Sequence, residues 1–177
     1  MNGISDLVRR VDDRAQRERG QLPARISEQA LTAAEHVLGF ALPPVLRLLY
    51  SRVANGGFGP GHLLLPLAGD GRTVLSEYGH LRTAGREFWP RGVLPILDRG
   101  CGRYAGVDCL DPAAPVLLFE PNGGPADWAD AWFLDSSSLT RWLVSWLDGT
   151  GWWAGVGEPG RWPAASERLG AGVGVGE

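Results

Sequence analysis

Glu35-His36-Val37-Leu38-Gly39-Phe40-Ala41-Leu42-Pro43-Pro44, then Leu46 to Tyr50, then Val53-Ala54-Asn55-Gly56-Gly57, is the stretch that decides how this chain folds. Upstream of it, Ala30, Leu31, Ala34, Val37 and Leu38 recur at helical spacing. Ser27 is a good N-cap, and Glu28 suits the positive end of the helix dipole. Gly39 stands where such a helix needs a left-handed C′ residue. Pro44 opens a third helix in its first turn, where a missing N–H does no harm. Val45, Leu46, Leu48, Leu49, Tyr50 and Val53 carry that helix, and Asn55-Gly56-Gly57 ends it with residues that tolerate positive φ.

Toward the N-terminus, Ile4, Leu7, Val8, Val11 and Ala15 predict a first amphipathic helix ending near Gly20. Asp6 with Arg10 and Asp13 with Arg17 are i,i+4 pairs in the favourable order. Toward the C-terminus, His62 to Leu67 reads as a short strand and Thr73 to Phe88 as a fourth helix. Val93 to Leu97, Tyr104 to Asp108 and Val116 to Phe119 read as strands, the first two joined as a hairpin through Asp98 to Arg103. Ala131 to Leu134 is a further strand candidate. The Ser136 to Ser138 run caps a last helix, whose Leu139, Trp142, Leu143, Trp146 and Leu147 form the cleanest apolar stripe in the chain. Helices, then strands, then a helix predict an α+β fold: one mainly antiparallel sheet packed against N-terminal helices and a C-terminal helix.

The 177 residues allow one ordinary domain, read as residues 1–150 with a core at 27–148. Residues 151–177 are Gly-rich and predict a flexible tail, although Trp152, Trp153 and Trp162 could dock. No run is long and apolar enough for a membrane span. The start lacks the order of a signal peptide, so the expected location is the cytoplasm. Cys101 and Cys109 are then expected as reduced thiols. All basic residues are Arg and the net charge is −3, which argues against nucleic-acid binding. The charge is uneven. Residues 98–148 carry eight acids against three arginines, a surface able to steer a basic partner.

Signals for chemistry are weak. Gly100-Cys101-Gly102-Arg103-Tyr104-Ala105 matches a dinucleotide fingerprint, with Glu120 twenty residues on. The mechanism needs a helix N-terminus behind the loop, yet residues 104–108 read as a strand. The cysteines lack zinc spacing, and His36, His62 and His80 sit in separate segments and read as surface groups. No cofactor, metal or catalytic residue is expected. Asp127 and Asp130 flank Trp128, a pattern suited to an acidic and aromatic partner-binding patch.

The opening stretch resembles the N-terminal signature of the SUKH superfamily, which includes the Smi/Knr-type regulators of cell-wall synthesis. Leu94-Pro-Ile-Leu-Asp-Arg-Gly-Cys-Gly-Arg-Tyr104 with Val107-Asp108 is similar to its central hairpin, and Leu139 to Leu147 to its last helix. The likeness covers about residues 27–148, with Gly39, Leu42, Pro43, Asn55, Gly56, Gly57, Gly102 and Asp108 as pattern positions. It implies a non-catalytic, protein-binding role. Bacterial members are mostly immunity proteins that neutralise toxins, often nucleases. The expected partner face comprises Asp98, Asp108, Glu120, Asp127, Trp128 and Asp130. The alternatives are a regulatory scaffold for a host protein, or a nucleotide-binding enzyme using Gly100–Ala105.

Overall fold

The computed structural model describes residues 2–84, 89–123 and 131–151. Among these residues, five α-helices and a four-stranded antiparallel sheet follow one another: α1 Asn2–Arg19, α2 Glu28–Leu38, α3 Pro44–Leu48, α4 Val74–Ala84, β1 Val93–Gly100, β2 Arg103–Asp108, β3 Val116–Phe119, β4 Trp132–Ser136 and α5 Leu139–Leu147. The sheet is a meander in the order β1-β2-β3-β4. The fold is α+β, as the pattern of elements predicts.

The caps sit where the sequence puts them. Ser27 Oγ accepts from Ala30 N, Gly39 takes φ 76°, and Ser138 Oγ accepts from Arg141 N. Thr73 and Ser76 cap α4 reciprocally, each hydroxyl accepting from the other's backbone N–H. The α4 prediction extends to Phe88, of which residues 85–88 lie outside the described residues. Glu35 fastens the first turn of the fold. It accepts from Leu42 N at 2.9 Å and from Arg47 at 2.6 Å, tying the end of α2 to α3.

Three details differ from expectation. After Leu48 the third helix widens into a π turn, Leu49–Val53, closed by Ala54 N donating to Leu49 O. The α1 ion pairs are also regrouped: Arg9 takes both Asp6 and Asp13, while Arg10 reaches Asp148 at the end of α5. One guanidinium fork bridges two carboxylates on the same helix face, and Arg10 is left to a tertiary contact.

His62 to Leu67 is not a strand of the sheet. Leu63 has φ 65°, Pro66 has no N–H, and the segment makes one bond to β1, from Leu65 N to Ile96 O at 2.8 Å. It forms a strap on the outer edge of β1 instead. Asn55 holds it there, its amide donating to Ala68 O at 2.8 Å and accepting from Leu67 N at 2.7 Å. Gly56 must be glycine: φ is +75°, and a Cβ would lie 2.7 Å from the strap's backbone.

The sheet is buried on both faces, so β3 is buried at all four positions. One face packs Leu94, Ile96, Ala105, Val107 and Val116 against the apolar stripes of α1, α2, α3 and α5. The other carries Val93, Tyr104, Leu117, Phe119 and Trp132 around Trp89. Trp89 stands edge-on to Tyr104, Phe119 and Trp132 at centroid distances of 5.5, 5.5 and 4.9 Å. Its indole N–H donates to Val93 O at 2.8 Å. Each such ring contributes about 1.5–3 kcal/mol by burial and ~1 kcal/mol more by edge-to-face geometry.

Candidate protein-binding face

β1 and β2 join through a two-residue turn, Cys101-Gly102, with φ of 52° and 76°. Positive φ at both central positions is the hairpin turn that matches strand twist. Asp98 Oδ1 accepts from Gly100 N at 2.7 Å, filling the bulge just before it. The loop of the would-be nucleotide fingerprint is therefore a hairpin tip. The segment that would have to supply a phosphate-binding helix is strand β2.

A second turn braces the first. Asn122 donates from its amide to Cys101 O at 3.0 Å, and both its N–H groups reach Glu120 Oε1. Glu120 also faces Arg103 at 3.6 Å, and Arg103 donates back to Gly100 O and Arg99 O. Glu120 N donates to Ala131 O at 2.8 Å, which joins the two stems of the segment between them. Asp127, Trp128 and Asp130 belong to that segment and lie outside the described residues.

Behind the hairpin, Arg72 binds Glu77 and Asp98 and donates to the Tyr104 hydroxyl at 2.8 Å. That hydroxyl donates to Glu77 at 3.0 Å. Burial, and then the bond to Glu77, push the Tyr104 phenol up to about 12. The Arg72 guanidinium is raised further above its usual value, chiefly by its bond to Glu77. Cys101, Gly102, Asn122, Asp70 and Arg72 stay exposed. The result is a set of exposed turn tips on stems fixed by side-chain-to-backbone bonds.

The structure brings together some of the expected partner residues and separates others. Asp98 and Glu120 meet at the hairpin end. Asp108 pairs with Val93 at the opposite end of the sheet, where its carboxylate accepts from Leu110 N. The acidity expected of the face is partly spent, since Asp98 faces Arg72 and Glu120 faces Arg103. Of the pattern positions, Leu42 is buried, Gly57 with φ 77° packs against Pro23, and Gly102 lies over Pro121. Pro43 precedes α3 in an extended conformation. Sequence reading missed Arg72, Glu77 and Asn122. The only signal available for Asn122 was its place two residues after Glu120 in a turn.

The histidines are all exposed, on three separate segments, and no group of three metal-binding side chains occurs among the described residues. Both cysteines are free thiols, Cys101 exposed and Cys109 raised by burial. No helix among the described residues is long and apolar enough to cross a membrane.

Comparison with known proteins supplies the frame for this geometry. No curated protein matches the chain. A model of the SMI1 / KNR4 family (SUKH-1) matches residues 25–145, from the approach to α2 through most of α5. That span holds the Gly39 cap, the Asn55 clamp, the whole sheet and its hairpin, and the chain belongs to the SMI1 / KNR4 (SUKH-1) family.

Proposed function

We propose that this chain is a non-catalytic immunity protein that binds and neutralises a cognate bacterial toxin in the cytoplasm. It acts as a single domain over residues 1–150. Its contact surface is the hairpin end of the sheet, with Asp98, Glu120 and the 121–130 segment bearing Asp127, Trp128 and Asp130. Family membership supports a protein-binding role.

The observation that carries the reading is the braced hairpin end. Exposed turns on stems locked by Asn122, Glu120 and Arg103 lose little freedom when a partner docks. Acidic residues within 121–130 add steering toward a basic partner, such as the cleft of a nuclease. Asp108 lies at the far end and makes no direct contribution to this surface.

The test has two steps. The tagged chain is used to capture its partner from lysate of its own host at low and moderate salt. The captured protein is then expressed in a reporter bacterium, alone and with the chain. Growth arrest relieved by the wild-type chain but not by Asp127→Arg with Asp130→Arg supports the reading. A captured protein that does not arrest growth overturns the toxin assignment.

A further inference from the structure

Beyond α5 the chain turns back over its own helix. Thr150 N and Gly151 N both donate to Ser145 O, at 2.9 and 3.2 Å, and Gly151 is buried. These two residues close one end of a groove of about 450 Å³ between the end of β4 and the outer side of α5. Asp135, Ser136, Arg141 and Val144 line it.

We infer that this groove is an intramolecular docking site and that its occupant is the tandem Trp152-Trp153 of the same chain. Three observations point to that occupant. The chain enters the groove at Gly151, so the indoles begin within roughly 4–8 Å of its lining. Covalent attachment gives them an effective concentration no free ligand matches. The lining also has the chemistry an indole uses: the half-buried Val144 as apolar wall, the Ser136 hydroxyl as acceptor, and the exposed Arg141 guanidinium for a ring face.

The experiment compares four full-length chains by thermal melting and by amide hydrogen exchange of α5: wild type, Trp152→Ala with Trp153→Ala, Arg141→Ala, and the combination. Arg141 is exposed and the tandem follows the last described residue, and amide exchange of the sheet checks that each variant folds. The tandem change is expected to lower Tm by several degrees and to speed exchange in Leu139–Leu147. Arg141→Ala is expected to cost stability in the wild-type background and little in the tandem variant, a coupling that reports contact between the two sites. Unchanged Tm and exchange in the tandem variant would overturn the proposal. So would strict additivity with Arg141→Ala. A melting temperature that rises with protein concentration only when the tandem is present would place the indoles on a second copy, and would overturn the intramolecular assignment.

Discussion

Arg99 and Asp135 meet at 3.5 Å although they come from β1 and β4, the two outermost strands of the sheet. In a flat sheet those strands would lie about 14 Å apart at ~4.8 Å per step. The long Arg99 side chain spans most of that width, across the helical side of the sheet. There Trp142 of α5 also donates its indole N–H to Asp135 at 3.0 Å. Arg99 is 7% exposed, and burial pulls its guanidinium below the usual value while Asp135 opposes that shift.

Breaking this pair from one side leaves a charge in a buried site. Asp135→Ala is expected to cost about 3–5 kcal/mol in urea unfolding. Replacing both residues together, Arg99→Met with Asp135→Leu, should cost clearly less. A double variant as unstable as the single one would show that the pair's other contacts, not the buried charge, set the loss.

The strap over β1 depends on Asn55 and Gly56. Asn55→Ala removes two bonds of 2.8 and 2.7 Å and should cost about 1–3 kcal/mol. Gly56→Ala should cost more, because the new Cβ meets backbone at 2.7 Å and φ remains +75°. Denaturant midpoints of the two variants check the order.

Alkaline pH should weaken the fold through Tyr104. Its folded pKa, about 12, lies above the ordinary phenol value of 10.0, because burial and Glu77 disfavour the phenolate. The stabilisation is therefore complete below about pH 10 and is lost as pH rises toward 12. Burial raises Tyr50 and Cys109 in the same direction. Tyr104→Phe should accordingly remove part of the fall in Tm between pH 10 and 12, not all of it. An unchanged slope in the variant would separate Tyr104 from the alkaline transition.

At the hairpin end, Asn122→Ala removes the amide's bonds to the Cys101 carbonyl and the Glu120 carboxylate without touching the core, while Glu120 keeps the backbone N–H of residue 122 and Arg103. Partner affinity is expected to fall about tenfold, ~1.4 kcal/mol, mostly through faster dissociation, with Tm nearly unchanged. Asp127→Arg with Asp130→Arg should act on the association rate and its salt dependence. Surface plasmon resonance at two ionic strengths distinguishes the two effects.

Most of the architecture was legible because it is written locally. Ser27, Gly39, Pro44 and Ser138 mark helix ends by rules that need no tertiary knowledge, and the α5 stripe fixes its own buried side. The strap was misread because Leu63 to Leu67 has the apolar content of a strand. The positive φ of Leu63, the missing N–H of Pro66, and the bonds of Leu64 to Phe58 and Gly57 keep it out of the ladder. The site was legible in composition but not in arrangement. An excess of acids over 98–148 gives no hint that Asp98 faces Arg72, 26 residues upstream, or that Asp108 lies at the other end of the strands. The Arg99–Asp135 contact joins the two outermost strands across 36 residues, which no local pattern encodes.

The bond from Glu120 N to Ala131 O closes the base of the segment it encloses. A segment clasped at its base is exchangeable as a unit. Doubling its length adds only about 0.6 kcal/mol of closure entropy, and the strands beneath are held in register by the ladder among β1, β2, β3 and β4. On the proposed reading, such a chain is redirected to a new target by exchanging residues 123–130 around the Asn122 brace, while the sheet, the strap and the helices stay as they are.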